Sequence, residues 1–175
     1  MLVSTEWLAA HAHDPELVVV DMRWREDGSG VSRYRSGHIP RAVYMDWSRD
    51  IVDPEDPIAF MLATPDRFAE AMEQRGIGDE TVVVAYADKH GSGPFRLWWA
   101  CRRYGHGEQV RILDGGLAKW VAEGRPVEDT LPPTHPATWN PGSGPSLTAT
   151  AVDVWAARDR PDTVVLDSRP PDQFR

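Results

Sequence analysis

Thr81-Val-Val-Val-Ala-Tyr86 opens the stretch of sequence that decides the fold. This short apolar run is rich in β-branched residues and predicts a buried strand. Asp88-Lys-His-Gly-Ser-Gly93 follows as a loop, and Pro94 suits the first turn of a helix, where its missing N–H costs no hydrogen bond. The stretch therefore predicts a strand, a loop and a helix, in that order.

The predicted helix continues to Tyr104. Leu97, Cys101 and Tyr104 are spaced i, i+4 and i+7 and mark one inward-facing stripe, and Gly105 suits the residue just past a helix end. Val110–Leu113 is the next apolar run and predicts a second strand. A strand, a helix and a strand in succession indicate a parallel pair joined by a right-handed crossover.

The same alternation extends towards the N-terminus. Leu17-Val-Val-Val-Asp21 predicts a strand that follows a short helix around Trp7, and Ala42-Val-Tyr44 predicts a short strand. Thr64 and Pro65 have the residue types of a helix N-cap and of the first helical position. Strands that alternate with helices are typical of the α/β class.

Composition excludes several classes of partner. The chain has 175 residues, of which 27 are acidic and 19 basic, for a net charge of −8. This acidity argues against a nucleic-acid surface, because phosphates are neutralised by clustered Lys and Arg. No apolar run approaches the roughly 20 residues that span a membrane. We therefore expect no nucleic acid and no membrane as partners, and a cytoplasmic location. Acidic residues are interleaved among five arginines and predict a solvated, mixed-charge face: Arg23, Arg25, Arg33, Arg35 and Arg41.

Cys101 is the only cysteine in the chain. A single thiol excludes an internal disulfide framework and a cysteine-based zinc cluster. The histidines are not spaced as metal ligands, and Gly115-Gly116 is too short for a dinucleotide-binding fingerprint. We expect no metal and no organic cofactor.

The sequence changes character after position 125. Six prolines fall within residues 126–146, a density that favours an extended, semi-rigid linker between domains. After it, Thr163-Val-Val-Leu-Asp167-Ser-Arg169 echoes Leu17-Val-Val-Val-Asp21-Met-Arg23. The pattern predicts one domain over residues 1–125, a linker, and the start of a second copy over residues 147–175, which the chain leaves incomplete.

Four segments carry a resemblance to a known family: Val18-Val-Val-Asp21-Met-Arg23, Tyr34-Arg-Ser-Gly-His38-Ile-Pro-Arg-Ala42, Trp98-Trp99 with Tyr104-Gly-His106, and Leu113-Asp-Gly-Gly116 with Trp120. Together they resemble the rhodanese (thiosulfate sulfurtransferase) family, and specifically its tandem-domain members. The resemblance implies a doubly wound, mostly parallel sheet with helices on both faces, and a first domain that packs on a second.

The resemblance also implies a chemistry. Rhodaneses take a sulfane sulfur from a donor such as thiosulfate or 3-mercaptopyruvate onto a cysteine thiolate, and pass it to a thiophilic acceptor. That cysteine belongs in a loop before a helix N-terminus, where amide N–H groups and the helix dipole stabilise an anion. Ala87 or Asp88 holds this position here, and no cysteine follows up to Gly93. We therefore predict a non-catalytic first domain.

Cys101 is predicted to be a buried, small apolar side chain of the helix, not a nucleophile. Asp21 and Asp167 are expected to fix the loops around them, and His38 to hydrogen-bond within its own turn. The resemblance places a substrate-binding arginine near the start of the second domain, and Arg169 or Arg175 are the candidates.

Two other functions stay open at this point. The first is a non-enzymatic module that binds or regulates a partner. The second, less favoured, is a hydrolase that uses Asp88, His90 and Ser92, although neighbours in sequence rarely converge as a catalytic relay.

Overall fold

A computed structural model of the chain describes residues 1–89, 91–169, 171–172 and 174. It consists of two compact units, Met1–Pro145 and Ser146–Arg175. In chain order, the strands and helices of the first unit are β1 (Leu2–Val3), α1 (Thr5–His11), β2 (Leu17–Asp21), α2 (Gly30–Ser36), β3 (Val43–Tyr44), α3 (Pro65–Glu73), β4 (Val82–Tyr86), α4 (Gly93–Arg103), β5 (Val110–Leu113) and α5 (Gly116–Ala122).

The strands form one parallel sheet in the order β1-β5-β4-β2-β3. Successive side chains of a strand point to opposite faces, and β4 shows this directly. Val83 and Ala85 pack into the core with α3 and α4, whereas Val84 and Tyr86 pack on the other face with residues of α1 and α5. The predicted doubly wound, parallel α/β fold is therefore confirmed.

Helix α4 begins and ends close to where the sequence predicts. Leu97, Cys101 and Tyr104 are all buried, which confirms the inward stripe. Gly105 has φ 88°, and two hydrogen bonds close the helix behind it: His106 N–H to Cys101 O at 2.8 Å and Gly105 N–H to Arg102 O at 3.2 Å. This pair of bonds is the Schellman motif, which uses the glycine's freedom to adopt a positive φ.

Two elements are not anticipated by the sequence. Strand β1 is only two residues long and pairs with the edge of β5, too short to show any periodicity. Helix α2 lies in the arginine-rich region, where the mixed charges predict a solvated face. That prediction is wrong for Arg23, whose side chain is 6% exposed, because Asp21 lies beside it and neutralises it.

The proline-rich segment packs on the first unit over much of its length. We call residues 126–145 the strap. Trp139 of the strap is 1% exposed and joins the core beside α3 and α4, with its ring 5.1 Å from Phe68 and 6.1 Å from Tyr104. Its indole N–H donates to Gln109 Oε1 at 3.1 Å. The strap thus fills space in the core of the unit.

Backbone contacts hold the two ends of the strap. Near its start, Glu128 and His38 exchange two backbone hydrogen bonds of 2.9 Å. Near its end, Gly142 N–H donates to Tyr104 O at 2.9 Å and Gly144 N–H to Arg103 O at 3.2 Å. These contacts attach the strap to the first unit at both ends. The domain and linker boundaries predicted from the sequence remain a prediction.

The second unit contains one helix among its described residues, α6 (Ala151–Ala157). Thr150 caps it reciprocally with Asp153, since each side chain accepts a hydrogen bond from the other's backbone N–H. By its echo of the predicted strand Leu17–Asp21, the segment 163–167 should also be a strand, but no strand forms there, and Val164 and Leu166 are exposed. A strand requires a paired neighbour, and none is present in the described part of this unit.

Across the described residues, the helices are too short or too polar to cross a membrane.

Candidate functional site

The loop after β4 lies at the carboxyl edge of the parallel sheet, where open α/β folds place their ligands. A pocket of about 490 Å³ opens there. The loop and the turn after β5 supply just over half of its lining residues: Ala87, Asp88, Lys89, Gly91, Ser92, Asp114 and Gly115. We call this cavity the loop pocket.

Glycines let neighbouring segments approach the loop closely. A Cβ on Gly93 would lie 3.1 Å from both Met22 Cβ and Trp47 Cδ1. Gly116 has φ 56°, and a Cβ there would overlap the Asp88 carbonyl oxygen. On the same side, Leu117 N–H donates to Ala87 O at 2.9 Å. The loop is therefore held between the end of β2 and the start of α5.

Asp88 brings a carboxylate to the position at which a nucleophilic thiolate was sought. Its side chain is 30% exposed and forms an ion pair with Arg25, which follows β2. A carboxylate paired in this way is an acceptor of hydrogen bonds and a weak nucleophile towards sulfur. Sequence reasoning missed Arg25 as a site residue, because it lies 63 positions away among arginines predicted to be solvated.

The single thiol does not reach the pocket. Cys101 is completely buried inside α4, in the core between α4 and α3. Desolvation raises the pKa of the Cys101 thiol well above its ordinary value. Because the thiolate is the nucleophilic form, the structure supports the prediction that this side chain serves packing.

Beneath the loop, a buried network ties β2 to β4. Asp21 accepts hydrogen bonds from the backbone N–H of Arg23 at 3.0 Å, from Arg23 Nε at 2.9 Å and from the Tyr86 hydroxyl at 2.6 Å. Burial, together with the charge of Asp21, raises the pKa of Tyr86 well above its usual value. Tyr86 therefore stays protonated and keeps donating to Asp21.

The same network reaches the turn before β3. Arg23 Nη2 donates to Gly37 O at 2.6 Å, and Ile39 N–H donates to the Tyr86 hydroxyl oxygen at 3.1 Å. His38, fully buried, has its Nδ1 2.8 Å from Tyr34 O. The predicted role of Asp21 in fixing the loop around it is confirmed. The side chain of His38 contacts Tyr34 of α2 rather than a residue of its own turn, and the part played by Tyr86 was not anticipated.

Of the two candidate substrate-binding arginines, the structure describes Arg169. Arg169 pairs with Asp167, with 2.6 Å between Nη2 and Oδ2, and its backbone N–H donates to Asp167 Oδ1 at 2.9 Å. Arg23 and Asp21 have the same local bonds. Arg175 lies outside the described residues, as does His90, on which the hydrolase alternative depends. A substrate role for Arg169 or Arg175 stays a prediction.

In the described part of the chain, no group of three or more His, Cys, Asp or Glu side chains lies close enough together to hold a metal ion. His106 is close to one carboxylate, with Nε2 3.9 Å from Asp79 Oδ1, and its Nε2 lies 2.8 Å from the carbonyl oxygen of Asn140. This contact belongs to the attachment of the strap.

Comparison with known proteins gives consistent matches. The family model of the rhodanese-like domain matches residues 4–123. The chain is 31% identical over 176 aligned residues to a protein of Escherichia coli strain K12 named 3-mercaptopyruvate sulfurtransferase, with 98% of this chain and 62% of that protein covered. It is 32% identical to a putative thiosulfate sulfurtransferase of Mycobacterium tuberculosis strain H37Rv, with 99% of this chain and 59% of that protein covered.

Solved structures agree with these relatives. The crystal structure of SseA from Escherichia coli superposes with a TM-score of 0.89 at 32% identity and covers 99% of this chain and 67% of its own. The chain spans less than two thirds of the length of each of the two sequence relatives named above. On the match of the family model and the extent of these identities, the chain belongs to the rhodanese-like domain family.

Proposed function

We propose that this chain supplies the non-catalytic first domain, and the opening of a second, of a tandem sulfurtransferase of the rhodanese type. The observation that carries the proposal is the absence of an accessible thiol. Cys101 is the only cysteine of the sequence, and it lies buried in α4. The loop that follows β4 presents the Asp88 carboxylate, so the nucleophile must come from a further part of the full-length protein.

The reaction proposed for the full-length protein proceeds in two transfers. With thiosulfate, a cysteine thiolate attacks the sulfane sulfur, the S–S bond breaks, and sulfite leaves. With 3-mercaptopyruvate, the thiolate attacks the thiol sulfur, the C–S bond breaks, and pyruvate leaves as its enolate, which takes up the proton of that thiol. The resulting persulfide then gives its outer sulfur to a thiophilic acceptor, which regenerates the thiolate. The names of the relatives favour these two donors.

The second unit supports the tandem arrangement. Asp167 and Arg169 repeat the hydrogen bonds of Asp21 and Arg23, and α6 begins at a capping box, which marks a helix start. Val164, Leu166 and Trp155 are exposed apolar side chains, which require a covering surface. We expect that surface to come from the remainder of the second domain, on which the first domain packs.

A cytoplasmic location fits this chemistry. A catalytic thiolate and its persulfide persist where thiols are kept reduced, and the sequence has a single cysteine and so no internal disulfide framework. Location by fractionation of the native protein checks this part of the proposal.

Thiocyanate production from thiosulfate and cyanide tests the proposal. The purified 175-residue chain should give no turnover above buffer, and Cys101→Ser should behave as the native chain does. Turnover by the native chain that disappears in Cys101→Ser would contradict it. A protein encoded by the same gene that continues beyond residue 175 should be active through a cysteine in its added part.

The open alternative is an interaction module without catalysis. A reading frame that stops after Arg175 would favour it, whereas continuation into a Gly-His-Ile-like turn and then a cysteine-containing loop would favour the sulfurtransferase. Sequencing downstream of codon 175 therefore separates the two functions before any assay is made.

A further inference from the structure

The outer edge of β2 is covered by β3 along only part of its length. Val43, the first residue of β3, lies opposite Val20. Arg41, two residues earlier, has φ 64°, and this left-handed turn leads the chain away from β2. The edge of β2 over residues 17–19 therefore has β4 on one side and no strand of the described chain on the other.

Two backbone groups point out from this uncovered edge. The hydrogen-bonding groups of successive strand residues point to alternate sides. Met45, the residue after β3, donates its N–H to Asp21 O at 3.0 Å, so the odd-numbered residues of β2 direct these groups outward. Leu17 O and Val19 N–H therefore point outward, and neither has a hydrogen-bond partner among the described residues. Both residues are buried.

A cavity of about 270 Å³ lies against the same edge. Its walls include Val18 of β2, Val43 of β3, Gly76 in the turn after α3 and Leu131 of the strap. Val18 is only half-buried, although β2 lies inside the sheet. Because buried backbone donors and acceptors nearly always have a partner, the two outward groups mark the cavity as a place where an occupant supplies one donor and one acceptor.

The strap borders the cavity without bonding to the edge. Between Glu128 and Thr138, the described strap makes no backbone hydrogen bond to the rest of the unit. Pro132 and Pro133 line the cavity and have no N–H to donate. Leu131 is exposed, so the cavity opens to solvent beside it. The occupant therefore comes from outside the strap.

The charges of the lining balance one another. Arg75 is paired with Asp50. Arg41 and Glu128 bring one charge of each sign, and the Glu128 carboxylate accepts from the Arg41 backbone N–H at 2.6 Å. His135, the remaining titratable residue of the lining, carries no charge in its neutral form. A neutral molecule is therefore the chemistry that this cavity accepts.

We propose that the cavity binds a small neutral molecule that contains one N-acylated amino amide unit in the extended conformation. The N–H of this unit donates to Leu17 O, and its carbonyl oxygen accepts from Val19 N–H. The unit thus lies opposite Val18, as a residue of a parallel strand would. This inference concerns the first unit alone and does not depend on sulfur transfer by the full-length protein.

The size of the gap limits the ligand to one such unit. Val43 already pairs at Val20, so the free edge ends after Val19. The cavity volume is also below the roughly 300–1,000 Å³ of sites for drug-sized molecules. A free small molecule fits this space, and a continuous added strand does not.

Amide hydrogen exchange of the free 175-residue chain tests whether the edge is open. Val18 and Val20 direct their N–H groups towards β4 and should be protected. Val19 N–H should exchange roughly tenfold faster than either, since it lacks a hydrogen bond within the chain. A Val19 amide that is as well protected as its two neighbours would overturn the proposal.

Binding is tested with N-acetyl-valine N′-methylamide, followed by the chemical shift of the Val19 amide proton. Donation to the ligand should move this proton downfield and slow its exchange. N-acetyl-proline N′-methylamide has no N–H to donate to Leu17 and should bind roughly two- to tenfold more weakly, the worth of one hydrogen bond. N-acetyl-trivaline N′-methylamide should bind no more tightly than the valine compound, because β3 closes the gap.

A pair of matched variants locates the site. Val18→Leu enlarges a side chain of the cavity wall and should weaken binding of the valine compound at least about fivefold. Val121→Leu makes the same change on the exposed face of α5 and should leave binding unchanged. If the circular dichroism of Val18→Leu departs from that of the native chain, Val18→Ile replaces it.

The remaining outcomes decide against the proposal. It is overturned if the valine compound leaves the Val19 proton unshifted, which would mean that the cavity holds water only. It is also overturned if the proline compound binds as tightly, if the trivaline compound binds more tightly, or if both variants bind as the native chain does.

Discussion

Replacing Trp139 by alanine is expected to destabilise the first unit by about 4 kcal/mol. The side chain is 1% exposed, and a buried tryptophan removes roughly 150–250 Å² from water. At about 25 cal/mol per Å², even the lower area corresponds to nearly 4 kcal/mol. The loss also leaves the side-chain oxygen of Gln109 without the indole N–H that lies 3.1 Å away.

The assay is equilibrium unfolding in urea followed by far-ultraviolet circular dichroism, which does not depend on tryptophan emission. Trp155→Ala is the matched control, because that side chain is 68% exposed in the second unit and its loss should cost less than about 0.5 kcal/mol. Trp139→Phe should fall between the two, since it keeps a ring and loses the N–H donor.

A Trp139→Ala variant that is no less stable than Trp155→Ala would refute the reasoning. It would mean that packing of the strap adds little to the free energy of unfolding, and that residues 1–125 are stable without it. A large effect would mean that a chain cut at 125 has lost part of its core.

Three further predictions concern single residues. Arg41 has φ 64°, and its backbone N–H donates to Glu128 Oε1 at 2.6 Å. Because glycine adopts a positive φ without strain, Arg41→Gly should leave the free energy of unfolding in urea unchanged or raise it by up to about 1 kcal/mol. A marked fall in that free energy would contradict this. The side-chain and backbone hydrogen bonds from Asn140 lower the pKa of Asp79, so its stabilisation is present at neutral pH and is lost as pH falls below about 4, through the lowered pKa. The stability gap between the native chain and Asp79→Ala should narrow on acidification, and a constant gap would count against the assignment. Cys101 should react with a thiol reagent only on the timescale of unfolding, and rapid labelling of the folded chain would show that its burial is wrong.

Much of the first unit follows from local sequence. The run from Val82 to Tyr86 and the stripe in α4 are decided by apolar periodicity and by Pro94 and Gly105 at the helix ends, which are local signals. The absence of a thiol in the loop also needs no structure. These features depend on neighbours along the chain, and the structure places them where the sequence predicts.

The features that sequence reasoning missed depend on residues far apart. Arg25 and Asp88 meet across 63 positions, and a run of arginines interleaved with acids gives no sign of which one has a fixed partner. Trp139 lies in a segment whose prolines exclude regular secondary structure, yet a segment without secondary structure can still deliver one large side chain to a core. Its partner Phe68 lies in α3, well upstream.

The attachment of the strap also sets where mechanical load enters the domain. Its last bonds are to the carbonyls of Arg103 and Tyr104, and a side chain at Gly144 would overlap the Arg102 carbonyl. Tension on the chain beyond Pro145 is therefore borne first by the final turn of α4, whose opening turn borders the loop pocket. A pulling experiment should peel the strap from this helix end before it shears the sheet.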